Sequence, residues 1–151
     1  MNLPADIAAA CQPMFDKIPL EKSMPTLKGD SPHDAELVES VLAQPAMQNR
    51  PSLAIGLWLY VDNLYRAHDL CQDIHTLDVS YWHAIMHRRE GDYPNSRYWH
   101  AKATGHALLA KSPNGLVPEV EAVNAVVSDE LLAKQQAEWS DLFCYCAHKG
   151  E

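Results

Sequence analysis

The feature that most constrains the fold of this chain is the recurrence of apolar residues at helical spacing, with almost no strand-like alternation. In residues 4–17, for example, Ile7, Cys11 and Met14 follow one another at intervals that place them on one face of a helix. Proline and glycine separate this segment from similar segments further along the chain. The sequence therefore predicts an all-α protein of roughly seven helices, folded as a single domain over residues 1–151.

The composition is that of a globular protein with a hydrophobic core, since 47% of the residues are apolar and 21% are charged. A formal charge of −8 without a basic stripe argues against nucleic-acid and anionic-membrane partners. No stretch provides the ~18–20 apolar residues of a membrane helix, and the first residues do not resemble a signal peptide. The four cysteines lack CxxC spacing and are interpreted as free thiols. These features predict a cytoplasmic protein.

Two antiparallel helical hairpins are predicted at the centre of the fold. The first pairs the very apolar segment 52–61 with 64–74, across a break at Asp62-Asn63. The second pairs 80–90 with 94–104. Both have the form helix, short polar turn, helix, which resembles a tetratricopeptide hairpin without its ~34-residue period. Terminal helices are expected to flank the two hairpins.

Several positions carry signals of helix starts and ends. Ser31, followed by Pro32, resembles an N-cap with proline at the first helical position. Ser80 and Ser128 are interpreted as N-caps of later helices, and Gly91 as the glycine that ends a helix. These positions set four expected helix ends, which belong to three helices.

Histidine is concentrated in the central segment, where six of the eight histidines lie between His68 and His106. His83 and His87 are separated by one helical turn, so both rings project from the same face. If neighbouring helices pack antiparallel, His68 falls level with His87, and His100 falls close to His83. Several imidazoles around one point are a typical ligand set for a metal ion. The sequence therefore predicts a metal site formed by His68, His83, His87 and His100, for a divalent zinc, nickel, iron or manganese ion.

Two alternatives use these histidines without a metal. Histidines beside an apolar face are more often satisfied by a carboxylate, a carbonyl or water, and several acids lie nearby in the sequence. His87 and Glu90 also lie one helical turn apart, and such a pair can act as general acid and base. His87 and Glu90 are thus the candidate catalytic residues, and Glu90 is a candidate metal ligand or general base.

Polar residues around the second hairpin turn form a candidate ligand site. Arginine binds anionic groups through its planar, two-pronged guanidinium, which makes Arg88 and Arg97 candidates. Arg89 lies close to the buried face of its helix, so an acid is expected to pair with it. Glu90, Asp92 or an acid of the C-terminal helix would serve. The candidate residues for a small-molecule ligand are Arg88, Arg97, Asp92, Asn95 and Tyr98.

The string SYWHAIMHRREGDYPNSRYW, residues 80–99, resembles a motif of the form SYWHAI(L/M)HRREGDYxNxxYW. That motif marks a family of uncharacterised proteins from soil bacteria, with related fungal sequences. The resemblance extends over about residues 54–106. It implies that this segment behaves as a unit whose polar residues form the site, and it implies no biochemical activity.

Two classes of function follow from the sequence. The first is a small-molecule or metal-binding helical protein with a histidine-rich pocket, which could be a metal-dependent enzyme. The alternative is a tetratricopeptide-like module for protein–protein interaction, in which the histidines are structural and aromatic side chains line a groove. Neither a nucleophile motif nor a glycine-rich phosphate loop is present, which argues against acyl transfer and nucleotide hydrolysis. A homodimer is compatible with either class.

Overall fold

The computed structural model describes residues 1–151, and its regular secondary structure is entirely helical. This confirms the predicted all-α class, with eight α-helices rather than about seven and three short 3₁₀ helices between them. The helices are α1 (Ala5–Lys17), α2 (Ala35–Leu42), α3 (Pro51–Tyr60), α4 (Leu64–Cys71), α5 (Leu77–Glu90), α6 (Tyr93–Lys102), α7 (Val117–Ala122) and α8 (Asp129–Lys149).

The two central hairpins are present. In the first, α3 and α4 flank a short turn, and the Arg66 guanidinium lies 4.4 Å from the centroid of the Trp58 ring. In the second, α5 and α6 pack antiparallel, and Ser96 Oγ donates to the carbonyl of Ala84 at 2.6 Å. Because α4 also packs against α5, the two hairpins lie side by side. Any closer likeness to a tetratricopeptide repeat stays a prediction.

Two of the four expected helix ends are found. Gly91 ends α5 at a φ of +83°, and the Asp92 side chain caps α6. Ser128 caps α8 as predicted. The start of α5 is a correction, because the helix begins at Leu77 and not near Ser80. The Oγ1 atom of Thr76 accepts the backbone N–H of Val79 at 3.2 Å, which adds a turn to the helix.

The start of α2 is a second correction. The sequence places its N-cap at Ser31, but the helix begins at Ala35, after Asp34 in a left-handed conformation with φ of +50°. The Asp34 carboxylate lies 2.5 Å from Lys17 Nζ and 2.8 Å from His33 Nδ1. These contacts lower the pKa of Asp34. The Asp34 side chain thus pairs with Lys17 of α1, and α2 begins without a side-chain cap.

The core lies where α8 packs on the hairpins. α3 is buried around its circumference, as its apolar sequence predicts. The Trp139 ring of α8 stacks on Phe143 with 4.7 Å between centroids, and Trp139 Nε1 donates to the carbonyl of Gly56 at 2.8 Å. Phe15 of α1 packs edge-on against Tyr60 from the other side. None of the helices combines the length and hydropathy needed to cross a membrane.

α5 carries polar side chains into this interior. Every residue from Asp78 to Arg89 is buried, including two histidines and two arginines. Burying an ionised group costs several kcal/mol unless the group is paired and hydrogen-bonded. The partners of the polar side chains of α5 therefore define where chemistry can occur.

Candidate metal site

Three histidines from two helices meet at the contact between α4 and α5. His68, His83 and His87 each offer a ring nitrogen, and the three atoms lie within 4.8 Å of one another. The centroids of the His83 and His87 rings, one turn apart on α5, are 4.9 Å apart. The His68 ring meets them edge-on, at 5.0 and 5.4 Å. The structure thus brings together three of the four predicted histidines, which we call the histidine cluster.

His83 is the most isolated member of the histidine cluster. Only 3% of the residue is exposed, and the ring stacks on Trp99 with 3.8 Å between centroids. Neither ring nitrogen has a hydrogen-bond partner. Burial, together with repulsion from His87 and His68, lowers the pKa of His83 to about 3. The ring is therefore neutral at pH 7, with a lone pair that nothing in the protein uses.

His87 contacts the carboxylate of Glu90 through one ring nitrogen. Its Nδ1 atom lies 2.7 Å from Glu90 Oε2, one turn further along α5. When Nδ1 carries the proton, Nε2 is left with a free lone pair, and this is the usual arrangement of a metal-bound histidine. Glu90 therefore orients His87. The same contact is the one that the general acid–base alternative requires.

A second group of potential ligands is formed by His87, Glu90 and Asp92, which also lie within 4.8 Å of one another. The Asp92 carboxylate, however, accepts hydrogen bonds from the backbone and side chain of Asn95 as the cap of α6. These bonds lower the pKa of Asp92. Glu90 is exposed, so this group is a solvated face, whereas the histidine cluster is largely enclosed.

His100 lies apart from the histidine cluster, which corrects the predicted set of four. The antiparallel register is close to the one expected, but Trp99 is the residue of α6 that faces His83. His100 is one residue further and points about 100° around the helix. Its ring lies 5.6 Å from that of Tyr81, only 1% of the residue is exposed, and neither nitrogen is bonded. Burial and the charge of Arg88 lower the pKa of His100 to about 4.

The candidate ligand residues are dispersed rather than gathered in one site. Arg88 is fully buried, and its Nη1 lies 2.6 Å from Oε2 of Glu138 on α8. Arg97 pairs with Glu121 at the surface. The two arginines thus have separate carboxylate partners, and neither forms an anion site with the other.

The remaining candidates lie on α6 and its cap. Asp92 and Asn95 bond to each other, as described above. Tyr98 is 52% exposed, and Lys102 Nζ lies 5.4 Å from its ring centroid. These residues are exposed or partly exposed, and Asp92 comes within 4.8 Å of the buried His87 of α5.

Arg89 has a partner that the sequence did not indicate. Its Nη1 lies 2.6 Å from Oδ1 of Asp62, with 0% and 2% of the two side chains exposed. The carbonyls of Leu59 and Thr26 accept further bonds from the guanidinium. Burial lowers the pKa of Arg89, and the charge of Asp62 opposes this shift. Asp62 is visible in the sequence only as a break between helices.

The interaction-module alternative depends on aromatic side chains exposed along one face. Three of the four tryptophans, Trp58, Trp82 and Trp139, are buried. The large exposed aromatics are Tyr65 on α4 and Tyr98 on α6. Convergence of histidines, rather than a row of exposed aromatics, is therefore the organised feature of the two hairpins.

Comparison with protein-family models, with curated proteins and with solved structures finds no match. The likeness of residues 54–106 to the family of bacterial and fungal proteins therefore stays a prediction. Function is argued from the geometry and chemistry of the site.

Proposed function

We propose that this protein binds a divalent transition-metal ion through His68, His83 and His87. The observation that supports the proposal is the buried His83 ring, whose two nitrogens lack partners beside two further histidines. An unsatisfied buried polar group costs about 1–3 kcal/mol, and an ion bound to one nitrogen of His83 would remove that cost for the ligating atom. With its pKa lowered to about 3, His83 is held in the neutral form that ligates metal.

The spacing of the three rings suits one ion. Nitrogens bound to a tetrahedral zinc at about 2.0–2.1 Å lie roughly 3.3 Å apart. Nitrogens already within 4.8 Å therefore need to close by at most about 1.5 Å. His68 is the member with room to move. It is partly exposed, and its hydrogen bond to Gln72 is long, with 3.3 Å between Nδ1 and the amide nitrogen.

The donor set narrows the choice of metal. Imidazole nitrogens suit zinc, nickel and iron, whereas manganese prefers oxygen ligands. Glu90 would accept a hydrogen bond from the proton-bearing Nδ1 of His87 and so leave Nε2 as the nitrogen that binds the metal. Three protein ligands leave a tetrahedral ion one position for water or substrate, which is what a metal-dependent enzyme requires.

The test is the metal content of the untagged, full-length protein by inductively coupled plasma mass spectrometry. The protein is loaded with zinc or nickel, and the excess is removed. We expect close to one ion per chain in the wild type and almost none in the His83→Ala/His87→Ala variant. Far-ultraviolet circular dichroism checks that the variant keeps its helices.

The matched control is His33→Ala/His148→Ala, which removes the same number of histidines from exposed positions. We expect it to keep its metal. Wild-type protein that stays metal-free after loading would contradict the proposal. So would equal metal content in the two double variants.

A further inference from the structure

The His83 ring is held in place by an aromatic face rather than by a hydrogen bond. Its two nitrogens have no partner in the protein, whereas the His87 ring is oriented by the carboxylate of Glu90. A metal-bound histidine usually donates its second ring nitrogen to a carboxylate, a carbonyl or water, which fixes the plane of the ring. His83 lacks that anchor. Its ring is instead contacted by the indole of Trp99, with 3.8 Å between centroids and 16° between the planes.

These values describe two rings that lie face to face. A separation of 3.8 Å is van der Waals contact, so the indole of Trp99 covers one face of the His83 ring. The lone pair that binds a metal lies in the plane of the imidazole, at its edge, and the indole does not cover that edge. Trp99 therefore restricts the rotation of the His83 ring without occupying the place of an ion.

The position of Trp99 is fixed by a buried hydrogen bond one helical turn earlier on α6. Ser96 is fully buried, and its Oγ donates to the carbonyl of Ala84, the residue after His83, at 2.6 Å. This bond sets the register of α6 on α5. Residues three apart on a helix share a face, so Ser96 and Trp99 lie over the same stretch of α5. α6 thus reaches the histidine cluster through Trp99, although its own histidine, His100, lies apart.

The electrostatics of this stack favour the metal-bound state. The face of an indole is electron-rich and attracts positive charge more strongly than the other aromatic side chains do. Coordination to a divalent ion draws electron density from an imidazole and makes the ring more positive. The stack of Trp99 on His83 is then stronger with the ion bound than without it. An interaction that is stronger in the bound state raises the affinity for the ion.

We propose that Trp99 is a positioning residue of the metal site, which holds the His83 ring in its ligating orientation and stabilises it further once the ion is bound. The proposal rests on the proposed metal site at His68, His83 and His87, and it adds α6 to the two helices that form that site. It predicts a rank order of side chains at this position. Tryptophan attracts positive charge more strongly than phenylalanine, and leucine has no aromatic face.

The first test compares the zinc affinities of the untagged, full-length wild type, Trp99→Leu and Trp99→Phe at pH 7, by competition with a chromophoric chelator. We expect Trp99→Leu to bind zinc about tenfold more weakly than the wild type. Trp99→Phe should lose no more than about threefold, because it retains an aromatic face. A Trp99→Leu variant with wild-type affinity overturns the proposal, and so does a Trp99→Phe variant that binds as weakly as Trp99→Leu.

The matched control is Trp58→Leu, which makes the same substitution in the neighbouring hairpin. The Trp58 indole packs on the guanidinium of Arg66 rather than on a histidine. Trp58 is buried, whereas Trp99 is partly exposed, so the control loses at least as much packing. We expect its zinc affinity to stay within about twofold of the wild type. A loss equal to that of Trp99→Leu would assign the effect to packing and overturn the proposal.

Nickel provides a readout that a purely structural role would not change. A nickel ion bound to His83 should quench the fluorescence of an indole stacked on that ring. The fraction of tryptophan emission lost on saturation with nickel should therefore be clearly larger in the wild type than in Trp99→Phe. Equal fractions overturn the proposal, and this comparison does not require Trp99→Leu to fold.

The failure of this proposal and the failure of the metal site give different results. If neither the wild type nor any variant takes up zinc or nickel, the metal site itself is wrong and the role of Trp99 falls with it. If the wild type and all the variants bind zinc equally, the metal site stands and only the role of Trp99 is overturned.

Discussion

His83 and His100 are two buried histidines with different neighbours. Both rings are buried and lack hydrogen-bond partners, and burial lowers their pKa values to about 3 and about 4. Near pH 7 both are neutral, which is the form that a metal ligand requires at His83. His83 faces two histidines, whereas His100 faces Tyr81 and lies apart from the histidine cluster.

These lowered pKa values predict how stability depends on pH. An unfolded histidine takes up its proton near pH 6.5, whereas the folded His83 and His100 do so only near pH 3 and 4. Below about pH 6.5 the unfolded chain therefore binds more protons than the folded one, and the free energy of unfolding falls with the pH. The slope should approach about 1.4 kcal/mol per pH unit for each histidine.

Urea unfolding of metal-free protein between about pH 6.5 and 5, above the range of the carboxylates, measures this slope. His100→Leu should reduce the slope by about one proton, because it removes one of the two groups. The exposed control His148→Ala should leave it unchanged. An identical slope in the wild type and His100→Leu would show that His100 is not buried in its neutral form.

The sequence predicted the histidine cluster through rules that act over short distances. One helical turn separates His83 from His87, and antiparallel pairing brings α4 alongside α5. The same pairing rule failed for His100, because an error of one residue in register rotates a side chain by about 100°. Glu138 could not be found in this way, since nothing near it in the sequence indicates that Arg88 would meet it.

The two ends of α5 illustrate which features of an element the sequence determines. Gly91 at its C-terminus was predicted because a left-handed residue there favours glycine. At the N-terminus, Thr76 and Ser80 are both acceptable N-caps. Tertiary contacts favour the longer helix, since Asp78 lies 2.8 Å from Lys149 Nζ and 3.2 Å from His106 Nε2. Those partners come from distant parts of the chain, so local signals could not decide between the two starts.

The buried pair of Arg89 and Asp62 connects the last turn of α5 to the turn between α3 and α4. Asp62 has a φ of +59°, a conformation that asparagine also tolerates. Asp62→Asn therefore removes the charge without straining the backbone. We expect a loss of about 3–5 kcal/mol of unfolding free energy, because Arg89 is left buried without a counter-charge.

Urea unfolding at pH 7 measures this loss, and an exposed pair provides the control. Glu39 lies 2.6 Å from Arg66, with 53% and 44% of the two side chains exposed. Glu39→Gln should cost less than about 1 kcal/mol. Similar losses in the two variants would mean that burial adds nothing to the Arg89–Asp62 pair.

At the scale of the whole molecule, α8 joins segments that are far apart in the sequence. Gln135 Nε2 donates to the carbonyls of Met24 and Thr26, at 3.1 and 3.0 Å. Glu138 pairs with Arg88 of α5, and Trp139 bonds to Gly56 of α3. The C-terminal helix therefore covers the core. One of its acidic residues, Glu138, is largely buried in the pair with Arg88.

Gly56 of α3 lies against aromatic rings of α8 and α5, since a Cβ atom there would be 2.9 Å from Phe143 Cδ2 and 3.0 Å from Trp82 Cζ2. In an exposed helix, replacing glycine with alanine stabilises by about 1 kcal/mol. Here the methyl group must displace aromatic rings, so we expect Gly56→Ala to lower the unfolding free energy by about 1–3 kcal/mol. Phe143→Leu removes part of the obstruction. The double variant should therefore lose less unfolding free energy than the sum of the two single losses. We expect a coupling of about 0.5–2 kcal/mol, measured by urea unfolding. An increase in stability for Gly56→Ala alone would mean that α8 moves away from α3 at little cost, and the Trp139–Gly56 hydrogen bond would then contribute little to holding the two helices together.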